Sequence, residues 1–121
     1  MPAMDVQVKR AYAPTTASDG TRILVDRLWP RGIARATLAG VPWLKDIAPS
    51  GELRTWFGHA PAKWAEFRRR YFRELEANPE AVAELRRLAA GHRRITLLYG
   101  ARDELHNNAV ALRDYLLGEA A

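Results

Sequence analysis

The segment 22–35, RILVDRLWPRGIAR, decides the fold and indicates where a functional site would lie. Its apolar run, residues 23–25, is typical of a strand covered on both faces, as the strands of parallel sheets are. The run ends at Asp26, and the loop that follows contains two arginines, an indole, a proline and a glycine. Ligands of open α/β sheets bind beyond the carboxyl ends of the strands. The sequence therefore predicts a site at this loop.

Two further strands are predicted. Residues 6–12 alternate apolar and polar side chains, and residues 95–99 are interpreted as a second buried strand. The loop between the first two strands, residues 13–20, is short for a parallel crossover, so that pair could instead be antiparallel. Residues 41–47, VPWLKDI, fit either a short strand or an extended segment.

Helices separate these strands. The first helix begins after Ser50, a plausible N-cap, and ends at Gly58. The others span about 61–77, 79–91 and the residues after Asp103, which is interpreted as the N-cap of the last helix. This order predicts an α/β fold in which one small domain, residues 1–121, holds a mainly parallel sheet of about three to four strands flanked by helices.

Composition narrows the class of protein. The chain of 121 residues has no cysteine, which excludes disulfides and thiol catalysis. There is neither a secretory signal nor an apolar run long enough for a membrane span, and a cytoplasmic protein without membrane contact is expected. The three histidines, at positions 59, 92 and 106, lack metal-ligand spacing, so no metal site is predicted, and the sequence specifies no cofactor.

The net charge of +5 raises the possibility of nucleic-acid binding. The charge is diffuse, however, because the excess of basic residues is shared between the two halves of the chain. The basic segment 67–75, FRRRYFREL, is interpreted as a solvated helix face on which arginines pair with glutamates. Arg68 falls within the apolar stripe of that helix, where an ion pair is expected.

A second cluster, residues 99–108, YGARDELHNN, follows the last strand. Asp103, His106 and Asn107 are three and four residues apart, so they would share one face of a helical first turn beside Tyr99. A helix N-terminus with these groups favours an anion. The alternative is that Asp103 is only a cap and the other two are surface residues.

The cationic candidates are Arg27 and Arg31, whose guanidinium forks suit phosphate or carboxylate. Here too a structural role is possible, since a strand-end Asp26 often pairs with a neighbouring arginine. Lys45 is one of only three lysines in the chain, and a compact charge could be preferred there. His59 could be an acid–base group or a helix-end residue that satisfies carbonyl groups.

These blocks resemble the YeaO-like family of bacterial proteins, a branch of a domain family described as of unknown function. The resemblance covers nearly the whole chain and is carried by KRAY, DGTRILVDRLWPRG, WLKDIAPS, LRTWFGH, WAEFRRRYFREL and ITLLYGARDELHNNA. Gly100 departs slightly from the pattern, which usually has alanine there. The resemblance implies a small cytoplasmic α/β domain and supports as motif positions Asp26, Arg27, Arg31, Lys45, Ser50, His59, Tyr99, Asp103, His106 and Asn107.

The leading hypothesis is a crevice for a small phosphorylated or carboxylated ligand, where hydrolysis or group transfer could occur. The acid–base candidates are Asp26, His59, Asp103 and His106. The ligand-binding candidates are Arg27, Arg31, Lys45, Ser50, Tyr99 and Asn107. The alternative is a non-enzymatic module that binds nucleic acid or a protein through its diffuse positive charge. A third interpretation is that the motif residues only hold loops together.

Overall fold

Three parallel strands and four helices make up the computed structural model of the protein, which describes residues 5–119. The strands are β1 (Asp5–Arg10), β2 (Thr21–Leu24) and β3 (Arg94–Tyr99). The helices are α1 (Gly51–Phe57), α2 (Trp64–Glu76), α3 (Pro79–Ala89) and α4 (Asn108–Leu116). The predicted α/β fold with a parallel sheet is confirmed. None of the helices in this described range is long and apolar enough to cross a membrane.

The sheet has the order β1-β3-β2, with β3 in the centre. Val6 pairs with Ile95, and Ile23 pairs with Leu97, both in parallel register. The antiparallel alternative for the first two strands is therefore wrong. The short loop does not join neighbours but passes from one edge of the sheet to the other, and each edge strand runs parallel to β3.

The two faces of the sheet are covered differently. Ile95 and Leu97 of β3 belong to the main core, which is filled by side chains from all four helices. Leu98 points into a smaller cluster with Leu24, covered by the irregular segment 28–43. Because β3 is buried on both faces, residues 95 and 97–99 are apolar instead of alternating with polar side chains. The buried Thr96 hydroxyl donates to the backbone carbonyl of Asp19.

Two tryptophans organise that irregular segment. The rings of Trp29 and Trp43 pack edge to face with their centroids 5.4 Å apart. Their indole N–H groups donate to the carbonyls of Ile33 and Asp26, at 2.7 and 2.6 Å. Trp43 also forms a single β-bridge with Leu24. Of the stretch 41–47, only residues 41–44 are extended, with this one bridge. Residues 45–47 form a 3₁₀ turn, so the predicted strand or extended segment is wrong for them.

The helical layer follows the expected amphipathic pattern. Phe67, Tyr71 and Leu75 of α2 are buried, and the Tyr71 hydroxyl donates to the carbonyl of Ile47 at 2.6 Å. On the outer face Glu66 pairs with both Arg69 and Arg70. The ion pair expected for Arg68 is confirmed, with Asp114 of α4 at 3.1 Å.

Asp19 closes the loop between β1 and β2. Its carboxylate accepts hydrogen bonds from the Lys9 ammonium at 2.9 Å and from the Thr16 N–H and hydroxyl at 3.1 and 2.9 Å. Burial opposes ionisation of this side chain, but these hydrogen bonds outweigh that effect and lower the pKa of Asp19 to about 2. The next residue, Gly20, has φ +65° and lies against the backbone carbonyl of Arg94.

The start of the last helix differs from the prediction. Asp103 is not its N-cap, because α4 begins at Asn108 and the Asn107 side chain accepts from the N–H of Val110 at 2.9 Å. Asp103 instead forms its own turn, in which its carboxylate accepts from the N–H groups of Leu105 and His106. Aspartate and asparagine are both good caps, so local sequence alone does not distinguish them.

Candidate functional site

A cleft of about 420 Å³ opens at the carboxyl ends of β2 and β3. Its walls are the loop after β2, the segment around α1, and the loop and first turn that lead into α4. The apolar side chains of its lining, most of them aromatic or proline, include Leu28, Trp29, Pro30, Pro49, Phe57 and Phe67. The position is the one at which parallel α/β sheets bind ligands.

Asp26 joins three elements at the base of this cleft. Its Oδ2 accepts from the backbone N–H of Gly100 at 2.8 Å, and its Oδ1 accepts from the Asn108 side chain at 3.1 Å. The same Asn108 amide donates to the carbonyl of Val25. Asp26 therefore ties the end of β2 to the end of β3 and to the first residue of α4.

Burial raises the pKa of the Asp26 carboxyl above its ordinary value. The hydrogen bonds from Asn108 and Gly100 and the charge of Arg54 act in the opposite direction, but they do not compensate fully. Gly100 is close enough that a Cβ atom there would lie 3.0 Å from Asp26 Oδ2. The carboxylate is consequently held in a narrow space.

Arg27 and Arg31 differ in role although they lie in the same loop. Arg27 donates from Nε and Nη2 to the carbonyls of Pro49 and Ala48, at 3.2 and 3.1 Å. These bonds use its guanidinium to join the β2 loop to the segment before α1. Arg31 is exposed and is anchored through its backbone, because its carbonyl accepts from the Tyr12 hydroxyl at 2.7 Å.

Two guanidinium groups at the cleft are available to bind a ligand. Within residues 5–119, neither the Arg31 nor the Arg54 side chain has a hydrogen-bond or salt-bridge partner, and both line the cleft. The charged lining consists of Arg27, Arg31, Arg54 and Asp26, three positive charges against one negative. The cleft therefore carries a net charge of +2 before any histidine is protonated.

His106 is oriented by its neighbours on both sides. Its Nδ1 lies 2.9 Å from Asp103 Oδ2, and its ring packs edge to face on Trp64 with centroids 5.3 Å apart. The hydrogen bonds from Leu105 and His106 hold the pKa of Asp103 below its ordinary value, so this carboxylate is an acceptor. Nδ1 then carries the hydrogen, and Nε2 is the ring nitrogen available to a ligand.

His59 occupies an unusual backbone conformation. It follows the left-handed C-cap Gly58 of α1 and itself has φ +57°, the only positive φ of a non-glycine residue in the described chain. The side chain is exposed and lines the cleft. A left-handed histidine is held there at some energetic cost.

The structure brings together six of the ten predicted residues at the cleft: Asp26, Arg27, Arg31, His59, His106 and Asn107. The other four lie outside its lining. Asp103 contacts Nδ1 of His106 through its carboxylate. Ser50 caps α1, and its hydroxyl donates to Glu74. Lys45 lies 5.4 Å from the centroid of the Trp43 ring. Tyr99 lines a separate groove beside β1.

Arg54 and Asn108 line the cleft but were not among the predicted residues. Arg54 gives no distinctive signal in the sequence, because it is an exposed arginine on a short helix. Asn108 directly follows the predicted Asn107, and only the position of the helix start reveals its contact with Asp26. No group of three or more side chains suited to a metal ion occurs in residues 5–119.

Fold and cleft together define a small parallel α/β protein with a cationic crevice at the carboxyl ends of its strands. The chain belongs to the DUF488-N3i family, whose model is described as the inactive DUF488-N3 subclade and matches residues 5–121. This confirms the YeaO-like resemblance.

Relatives cover nearly the whole chain. The uncharacterized protein YeaO of Escherichia coli (strain K12) is 46% identical over 115 residues, covering 93% of this chain and 97% of YeaO. The uncharacterized proteins Rv3073c of Mycobacterium tuberculosis (strain ATCC 25618 / H37Rv) and Mb3100c of Mycobacterium bovis (strain ATCC BAA-935 / AF2122/97) are each 41% identical over 113 residues, covering 93% of this chain and 94% of theirs. No solved structure matches significantly.

Proposed function

We propose that the cleft binds a small phosphorylated or carboxylated molecule. The observation that carries this proposal is the pair of guanidinium groups, Arg31 and Arg54, that line the cleft and have no hydrogen-bond or salt-bridge partner in residues 5–119. A guanidinium group is suited to bidentate contact with phosphate or carboxylate oxygens. The net charge of +2 on the lining favours the same class of ligand.

The distribution of the other charges supports a small molecule rather than a nucleic acid. Arg69 and Arg70 on the outer face of α2 both pair with Glu66, and Lys9 pairs with Asp19. The volume of the cleft, about 420 Å³, lies within the range typical of small-molecule sites. Its mixture of apolar walls and a few polar groups is also typical of such sites.

The proposal is one of binding rather than covalent catalysis. Among the described residues that line the cleft there is no serine, threonine, cysteine or lysine, four of the side chains that serve as nucleophiles in covalent catalysis. The family description, an inactive subclade, agrees with this. In this proposal His59 and His106 act as hydrogen-bond partners of the bound anion, and Asp103 orients His106.

Calorimetric titration of the purified protein with inorganic phosphate, nucleoside monophosphates and citrate tests the proposal. We expect at least one of these anions to bind, and the Arg31→Ala/Arg54→Ala variant to bind it at least 10-fold more weakly. Arg69→Ala, which removes an exposed arginine of α2, is the matched control and should bind normally. Neither substitution should shift the melting temperature by more than about 2 °C.

Equal binding by the double variant, or no binding of any of these anions, would overturn the proposal. Binding of short DNA only, weakening steeply as salt rises, would replace it with the nucleic-acid alternative.

A further inference from the structure

We infer that the ligand of the cleft carries, besides its anionic group, a neutral hydrogen-bond donor that reaches Asp26. The inference rests on the proposed function: the arginines bind the anionic group of the ligand, and Asp26 accepts a hydrogen bond from another part of the same ligand. It assigns the ligand class as a small molecule with an amide, heteroaromatic N–H or hydroxyl group at one end and a phosphate or carboxylate at the other.

The first observation is the unused capacity of Asp26. Each carboxylate oxygen can accept two hydrogen bonds, whereas each oxygen here accepts one, from Gly100 and from Asn108. Arg54 acts on this carboxylate through its charge only, and no cation in residues 5–119 forms a salt bridge with it. A half-buried carboxylate whose oxygens each accept only one hydrogen bond is stabilised when a further hydrogen-bond donor contacts it.

The second observation is the order of the groups from the base of the cleft to its mouth. Asp26 is half-buried beside Pro30, which is itself buried, whereas Arg31, Arg54 and His59 are exposed. The only acidic side chain of the described lining therefore lies at the base, and the two exposed arginines, Arg31 and Arg54, lie at the rim. A ligand that contacts both Asp26 and the arginines therefore binds with its hydrogen-bond donor at the base of the cleft and its anionic group at the rim.

The third observation concerns the charge of the donor. Three arginines line the same cleft as Asp26, so an ammonium group that approached Asp26 would meet an environment of net charge +2. A neutral N–H or O–H group donates to the carboxylate without this repulsion. The balance of charge therefore favours a neutral donor.

Pairs of ligands that differ only in the donor test the inference. Adenosine monophosphate is compared with purine riboside monophosphate, and glycerol 3-phosphate with propyl phosphate, while phosphate alone reports the anion site. We expect the donor-bearing member of at least one pair to bind about 10-fold more tightly. The preference should disappear in Asp26→Asn, while affinity for the donor-free member stays within about threefold.

Since Asp26→Asn could disturb the contact with Asn108, Asn108→Ala provides a second variant. It removes this contact but keeps the Asp26 carboxylate, so it should keep the preference for the donor-bearing member. Loss of the preference in Asn108→Ala as well would show that it depends on the contact and not on the carboxylate, and would overturn the inference.

The possible failures are distinguishable. If both members of every pair bind equally and depend on Arg31 and Arg54, the inference is wrong and the proposed anion site stands. If phosphate binds but neither member of any pair does, the inference is also wrong. Tighter binding of the ammonium compound O-phosphoethanolamine than of glycerol 3-phosphate would overturn the assignment of a neutral donor. If no anion binds, the proposed function fails and the inference with it.

Discussion

Ser50 and Glu74 form a two-point contact between the start of α1 and the last turn of α2. The Ser50 hydroxyl donates to Glu74 Oε2 at 2.6 Å, and the Ser50 N–H donates to Oε1 at 2.8 Å. The same hydroxyl oxygen accepts from the N–H of Leu53, the capping contact of α1. Ser50 thus holds the helix that carries Arg54, without lining the cleft itself.

Replacing Ser50 by alanine is therefore expected to lower stability and to leave anion affinity within about twofold of the wild type. Loss of an N-cap costs about 1 kcal/mol, and the hydrogen bond to Glu74 adds to it, so the expected loss is about 1–3 kcal/mol. Urea unfolding measures it. Ser50→Thr keeps the hydroxyl and should restore most of the stability. If Ser50→Ala abolished anion binding while stability stayed normal, Ser50 would be a ligand contact.

Replacing Gly20 by alanine is expected to destabilise the protein by more than about 2 kcal/mol. The substitution combines a left-handed backbone, φ +65°, with a Cβ atom pressed against the backbone carbonyl of Arg94, which cannot move independently of β3. Gly91 is the matched control, since it has φ +85° and no atom within 4 Å of a built Cβ. Gly91→Ala should cost only about 1 kcal/mol. Equal losses in thermal unfolding would show that the contact with Arg94 is unimportant.

Replacing His59 by glycine is expected to raise stability by about 0.5–1 kcal/mol, because glycine adopts φ +57° without steric cost. The same substitution should weaken anion binding, since it removes a polar group from the rim of the cleft. His92→Gly, at an exposed histidine without positive φ, should bring no gain in stability. Chemical unfolding and titration calorimetry measure both properties. A His59→Gly protein that binds normally would leave His59 without a role in recognition.

Acid is expected to remove the stabilisation that Asp19 provides. Its pKa is about 2 in the folded protein and near 3.8 in the unfolded chain. The unfolded chain therefore takes up the proton first as pH falls. The contribution is fully present above about pH 4 and is lost between about pH 4 and pH 2.

In urea unfolding at a series of pH values, the difference in stability between the wild type and Asp19→Asn should be largest near neutrality and shrink across that window. Asp46→Asn, at an exposed position, should retain the acid sensitivity of the wild type. A constant difference between wild type and Asp19→Asn at all pH values would contradict the assignment.

Much of the fold could be predicted from local patterns. The apolar run 23–25 and the largely apolar segment 95–99 indicate buried strands, and Ser50 and Gly58 indicate the two ends of α1. These signals depend only on neighbours in the sequence. The placement of β1 could not be predicted, since it depends on β3, which follows more than eighty residues later. The start of α4 was missed because Asp103 and Asn107 are equally acceptable caps.

For the site, too, the sequence predicts one property and not another: its position is predictable, but the contacts of its arginines are not. The prediction that Asp26–Gly32 and residues 99–107 face each other follows from the rule that the carboxyl ends of parallel strands share one edge. The availability of each arginine could not be predicted. Arg27 and Arg31 look alike in sequence, but the carbonyls of Ala48 and Pro49, distant in the chain, engage only Arg27.

The unequal covering of the sheet also divides the four tryptophans of the chain between two environments. Trp29 and Trp43 lie in the irregular layer, whereas Trp56 and Trp64 pack against the helical core. Trp29 borders the cleft directly, and Trp64 touches it through His106. Tryptophan fluorescence therefore reports on both layers that cover the sheet. Single-tryptophan variants would show whether a bound molecule disturbs the loop wall, the helical wall or both.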